Sequence, residues 1–178
     1  MQWTIDPSHS HLDFSVKHMG ISTVRGRFKK FSATIETNDQ QVLTRVVVTA
    51  DAASIDTGEP KRDDHLRSPD FLDAAKYPEV KFESDAVKPA KGDAYAVSGK
   101  LTIRGETRPL SFDVEVSKPI KDPWGNQRAA ATGRGTINRK GWGLNWNVAL
   151  ELGGWMVGED VQFLFDIEAI VPAAAAAR

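Results

Sequence analysis

The chain of 178 residues has the length of one ordinary domain, and its 40% hydrophobic and 26% charged residues are the mixture of a folded globular protein. Twenty-three basic against 24 acidic residues leave a formal charge of -1, so no overall field gathers nucleic-acid phosphates and nucleic acid is not expected as a partner. The absence of cysteine removes disulfides, thiolate nucleophiles and cysteine-based zinc sites, and no run of about 18 apolar residues offers a membrane-spanning helix.

After Met1 the chain reads Gln2-Trp3-Thr4-Ile5-Asp6, with no basic start and no apolar run. A cytoplasmic location is therefore expected, or a periplasmic one if a leader has been trimmed. Residues 10–18 place Leu12, Phe14 and Val16 on one face and Asp13, Ser15 and Lys17 on the other, the period of a half-buried strand. Residues 23–37 continue the β pattern, with Val24, Gly26 and Phe28 sharing a face. Phe31 has the opposite parity, which predicts a bulge or bend near Lys29-Lys30. Arg25, Arg27, Lys29 and Lys30 approach a basic cluster, but alternation spreads three of them along one solvated face. The run 42–50, with Val46, Val47 and Val48 in succession, is the most β-prone.

Between Asp56 and Pro78 the pattern changes to charged residues with few β-branched ones. Ser68-Pro69-Asp70 reads as a helix start, so two short helices are expected in an insertion at about 58–76, docked on the sheet by Leu66, Phe71 and Leu72. The β signal returns at 80–87 and 95–103, where Val97, Gly99, Leu101 and Ile103 share a face. Residues 104–109 read as a turn, and Leu110, Phe112, Val114 and Val116 alternate with polar residues to complete a hairpin. Residues 129–138 form a weaker strand interrupted by Gly133 and Gly135, which suit sharp curvature. In the final strand Val161, Phe163, Phe165, Ile167 and Ala169 alternate with Gln162, Leu164, Asp166 and Glu168 before Pro172. The expectation is one all-β domain over 1–172, an eight-stranded antiparallel barrel with a short helical insertion, and a frayed tail at 173–178.

An eight-stranded barrel has room for one small ligand, and the inward sets are mostly large and apolar. A long apolar chain gains roughly 0.8 kcal/mol per buried methylene. The same side chains could equally fill the interior, and composition leaves both readings open. Leu12, Phe14, Val16, Phe28, Val46, Val48, Leu66, Phe71, Leu101, Ile103, Phe112, Val114, Phe163 and Phe165 are the candidate lining.

Signatures of catalysis are scarce. The chain has no Walker loop, no His-Glu-x-x-His and no Gly-x-Ser-x-Gly, and Gly133-Arg134-Gly135 lacks the third glycine of a dinucleotide site. His9 and His11 share a face of a presumed strand but no further ligand lies nearby, so no metal is expected. The parity of His18 points it inward at a strand end, toward a ligand's polar head or a backbone carbonyl. Asp63 and Arg67 have the spacing of an exposed i,i+4 pair around His65. Arg139 could meet an anionic head group or form a structural salt bridge, and Arg25 is a further head-group candidate. Trp142, Trp146 and Trp155 crowd one long connection, where they wall a barrel mouth or join a subunit interface.

Several motifs carry a resemblance. Trp3-Thr4-Ile5-Asp6-Pro7-Ser8-His9-Ser10, Phe14-Ser15-Val16-Lys17-His18 and Val24-Arg25-Gly26-Arg27-Phe28 open it. Arg62-Asp63-Asp64-His65-Leu66, Tyr77-Pro78, Leu101-Thr102-Ile103-Arg104-Gly105-Glu106-Thr107 and Val157-Gly158-Glu159-Asp160-Val161 continue it. In combination the chain resembles YceI-like proteins over almost its whole length. The resemblance implies a lipocalin-like barrel that binds a polyisoprenoid, such as a quinone or polyprenyl phosphate, or a similar fatty amphiphile. It further implies a homodimer, no catalytic act and no cofactor beyond the lipid. Trp142 departs from the family's smaller ring, and added bulk there is expected to shorten or redirect the cavity. The rival reading is an enzyme acting on a lipophilic substrate with His18 or His65 as general base.

Overall fold

A computed structural model describes residues 1–173, and in it every strand runs antiparallel to its neighbours in one sheet that closes on itself. Strands β1 (Gln2–Ile5) and β2 (His11–His18) both pair with the last strand, β12 (Val157–Val171), Thr4 lying opposite Ile170 and Val16 opposite Val161. They are two halves of one strand, separated by the 3-10 turn Pro7–His9. Strands β3 (Ser22–Phe28) and β4 (Phe31–Thr37) pair in turn with β2 and β1. Strands β5 (Leu43–Asp51) and β6 (Ile55–Asp56) pair with β4 and β3.

Each of these three strands is therefore kinked once, and the kink between β3 and β4 falls at Lys29-Lys30, where the change of parity predicts it. Strands β7 (Glu79–Pro89), β8 (Ala94–Ile103), β9 (Glu106–Val116) and β11 (Gln127–Asn138) follow in order, and β11 pairs with β12 from Gln127 to Asn138 to seal an eight-stranded barrel. A short arm, β10 (Ile120–Lys121), folds back on β11 and forms a hairpin outside the ring. The expected tail lies outside the described residues apart from Ala173.

Three local expectations are corrected. The insertion holds one helix, α1 (Pro60–Arg67), with Glu59 as its cap and Pro60 in the first turn. Ser68 ends it instead of starting another: its N–H and its hydroxyl both donate to the carbonyl of His65 (3.1 and 2.7 Å). Pro69 cannot continue the helical ladder, and Asp73 turns the chain in the left-handed region at φ 49°. The turn between β8 and β9 is two residues, Arg104 and Gly105, both at positive φ (50° and 76°), a geometry that matches strand twist in a tight hairpin. Strand β11 is also not interrupted at its glycines: Gly133 pairs with Phe165 and Gly135 with Phe163 across the seam with β12.

Candidate functional site

The inward side chains do not fill the barrel. They surround a cavity of about 530 Å³ lined almost wholly by apolar side chains, within the roughly 300–1,000 Å³ of small-molecule sites. Its bore depends on glycine. Gly26, Gly133 and Gly135 lie directly opposite Phe14, Phe165 and Phe163 in the strand register. A Cβ at any of the three would overlap the facing ring. The missing side chain lets each ring lie against the barrel wall, and the lumen stays open where a longer neighbour would push the ring inward. Phe112 joins this aromatic wall, its ring centroid 5.6 Å from those of Phe163 and Phe165.

Leu12, Phe14, Val16, Phe28, Val46, Val48, Leu101, Ile103, Phe112, Val114, Phe163 and Phe165 all face the cavity, as do Leu66 and Phe71 from the insertion. Further lining comes from Phe31, Phe82, Val97, Leu110, Val161 and Ile167, among others. Parity alone could have supplied Val97, Leu110, Val161 and Ile167. Phe82 follows in the same way from its parity with Val80, and the alternation of β7 breaks only beyond it, at a bulge between Ser84 and Ala86.

The two ends of the cavity differ. Beneath α1 the lining residues Ile55, Phe71, Leu72, Arg139 and Leu144 are buried, so this end is blind. Its plug is held from several sides. Asp63 is buried and accepts hydrogen bonds from the N–H and hydroxyl of Thr57 (2.9 and 2.5 Å). Arg67 binds the carbonyls of Ala53 and Ile55 (2.8 and 2.9 Å) and the carboxylate of Asp64 (3.0 Å). The expected exposed pair between Asp63 and Arg67 is thus replaced by two separate struts. Trp146 packs on His65 and Phe71, with centroids 4.5 and 5.4 Å away. At the opposite end the lining passes to Gln40, Gln41, Gly92, Asp93, Ser117 and Lys118, all exposed, from three separate loops. That end is the mouth. No local signal in sequence links loops so far apart in the chain.

The head-group candidates fall elsewhere. Arg139 lies at the blind end, 3% exposed. It donates to the carbonyls of Gly158 (2.8 Å), Trp146 (3.0 Å), Val157 (3.4 Å) and Leu144. Burial draws its pKa below the ordinary arginine value despite the nearby Glu159. Its fork braces the chain between β11 and β12, and among the described residues it forms no salt bridge. His18 is paired with Val157 at the end of β2 and does not line the cavity. Arg25 points outward, because Gly26 and Phe28 hold the inward parity of β3. Trp142 is also outside the lining: it is buried in the core, and its indole N–H donates to the carbonyl of Leu101 (2.9 Å). The expectation that Trp142 narrows the cavity is corrected accordingly.

His65 and Asp70 pair at 2.8 Å, but neither lines the cavity. His9 sits in the 3-10 turn and not on a strand with His11. It meets Asp6 at 3.2 Å, and Arg128 occupies the space between Asp6 (3.0 Å) and Glu168. Among the described residues no histidine meets a carboxylate inside the cavity.

An antiparallel eight-stranded barrel closed around one blind, apolar chamber defines the class. The model of the YceI-like domain matches residues 3–169, and the chain belongs to that family. It is 40% identical over 164 residues to UPF0312 protein SA2479 of Staphylococcus aureus strain N315, covering 90% of this chain and 92% of that one. Among solved structures it is similar to BcnA of Burkholderia cenocepacia (28% identity, TM-score 0.78, 92% and 98% of the two chains). It is also similar to a YCEI protein of Campylobacter jejuni (27% identity, TM-score 0.76, 88% and 90%). A polyisoprenoid binding domain from Saccharophagus degradans shares the fold at 16% identity, with a TM-score of 0.73 over 96% and 98%.

Proposed function

We propose that the protein binds a long-chain polyisoprenoid or a similar amphiphilic lipid and carries or stores it, with the tail in the barrel and the polar head at the open rim. The observation that carries this reading is the cavity itself, apolar, blind under α1 and rimmed by polar side chains at its mouth. A head group placed at the blind end would lose water without gaining a partner, because the fork of Arg139 is already committed to backbone carbonyls. The description of the Saccharophagus degradans domain as polyisoprenoid binding points the same way. An isoprenoid quinone and a polyprenyl phosphate both suit the chamber.

Native mass spectrometry of freshly purified protein tests the proposal. The expected result is an adduct with the mass of an isoprenoid lipid, and protection of a fluorescent polyene from water by the lipid-stripped protein. No adduct together with no protection would refute it. The enzyme alternative predicts that His65→Gln or His18→Gln abolishes turnover of a lipophilic substrate while binding persists. Homodimer formation, also proposed, has a ready surface in Met19, Ile21, Val148, Leu152 and Trp155. These are exposed on two loops joined by the hydrogen bond from Met19 N–H to the carbonyl of Met156 (2.7 Å). Light scattering of Leu152→Ser/Trp155→Ser should then report a monomer.

A further inference from the structure

The mouth of the cavity continues into the hairpin that β10 makes with β11. Ser117, Lys118 and Pro119 line the opening, and the next residues, Ile120 to Trp124, stand out from it. Ile120 is 67% and Trp124 78% exposed, although water-facing positions at a hairpin tip ordinarily carry polar residues. The tip is held in shape. Asp122 accepts hydrogen bonds from the N–H groups of Trp124 (3.0 Å) and Asn126 (2.9 Å), and from the side chains of Asn126 (2.9 Å) and Arg128 (2.9 Å). The indole is thus presented on a fixed backbone and loses little freedom on contact.

The rim carries several lysines without an ion-pair partner. Lys118 and Lys121 lie on the hairpin arm, Lys91 on the neighbouring turn and Lys88 near the end of β7, and none pairs with a carboxylate among the described residues. Asp122 is tied to Arg128, which it shares with Asp6 and Glu168, and Asp39 and Asp93 are the other acidic residues of the three rim loops. The second exposed apolar patch, around Leu152 and Trp155, differs. It lies toward the blind end, and residues 141–157 contain Glu151 and no lysine or arginine.

We propose that the rim is a membrane-docking face. Ile120 and Trp124 enter the headgroup layer of a bilayer containing anionic phospholipid, and Lys91, Lys118 and Lys121 lie against its phosphates. Tryptophan suits that layer because its ring is apolar and its N–H is not, and lysines near an anionic surface each add attraction that salt weakens. Docked this way, the mouth faces the lipid phase, and a guest passes between bilayer and barrel without crossing water. The inference rests on the lipid-binding reading for its purpose but not for its geometry.

Sedimentation with phosphatidylcholine vesicles, with and without phosphatidylglycerol, tests it. The unchanged chain should bind the phosphatidylglycerol vesicles and be released by high salt. Ile120→Ser/Trp124→Ser and Lys118→Gln/Lys121→Gln should each lower partitioning by about tenfold or more, whereas Leu164→Ser, at an exposed apolar residue on the barrel wall, should bind as before. Equal binding by the hairpin variants, loss of binding in the Leu164 variant, or a change of oligomeric state caused by the hairpin substitutions would each overturn the proposal. The last outcome would make the hairpin an interface between copies. Lipid loading from detergent micelles, read by mass spectrometry, separates the two readings. Vesicle binding that depends on Trp124 with an empty barrel leaves docking intact and removes the cargo.

Discussion

A single hydrogen in place of a side chain sets the bore of this barrel at Gly133 and Gly135. Gly135→Ala should push the ring of Phe163 into the lumen, costing about 1–3 kcal/mol by overpacking and reducing the lipid retained, as read by thermal unfolding and native mass spectrometry. Arg139 makes the opposite case, a long side chain whose value is entirely in its partners. Arg139→Met should destabilise the fold by roughly 3 kcal/mol or more, because several buried carbonyls lose their donor at once; chemical denaturation would measure it. Both residues stand out in the sequence, yet neither role was legible there. Glycine opposite phenylalanine is a fact of register between β11 and β12. Whether an arginine fork meets a head group or four carbonyls depends on where the chain from Gly141 to Met156 returns.

Among the elements, the arm built on β10 is tied to the barrel by a cluster of charges. Arg128 holds Asp6, Asp122 and Glu168 together. Burial alone would raise the pKa of Asp122, but the hydrogen bonds from Arg128, Asn126 and the turn outweigh it and hold the carboxyl at about 2, below its ordinary 3.8. Asp6 is held lower still, by Ser8 first and then Arg128 and His9. Both carboxyls are depressed in the folded state, so their stabilisation is complete above pH 3.8; that of Asp122 is lost as pH falls through about 2, and that of Asp6 at lower pH still. Melting temperature should fall over that window in the unchanged chain. Arg128→Gln should flatten the fall, having removed the strongest depressing hydrogen bond of Asp122 and the second strongest of Asp6. Alternation made β2 legible to its ends, and β9 and β12 except for their first four residues, and the bend at Lys29-Lys30 followed from one phenylalanine of the wrong parity. The second helix was misread because Ser-Pro-Asp opens and closes helices with the same chemistry; only the carbonyl of His65 above Ser68 decides which.

At the scale of the whole molecule, a closed wall with an unfilled interior gives up packing that a solid core would have made. An apolar guest restores it. Protein loaded with isoprenoid lipid should therefore melt at a higher temperature than the stripped protein, the gain growing with free lipid as linkage requires, and calorimetry on matched samples would show it. Eight strands, their antiparallel order and the apolar faces were readable from period and turn chemistry. The polarity of the chamber was not: the strand pattern is symmetric between its two ends. The plug of α1 and Trp146 and the rim loops come from stretches without periodicity.

The strand that seals the barrel is the last one made. Strand β12 runs from Val157 to Val171 and is the common neighbour of β1, β2 and β11, so a nascent chain emerging from the ribosome lacks its closing stave until Val171 has been translated. Until then β1, β2 and β11 expose unpaired edges and the greasy face of an open sheet. Closure therefore waits on β12, and the three edges find their common partner only when the seam zips shut.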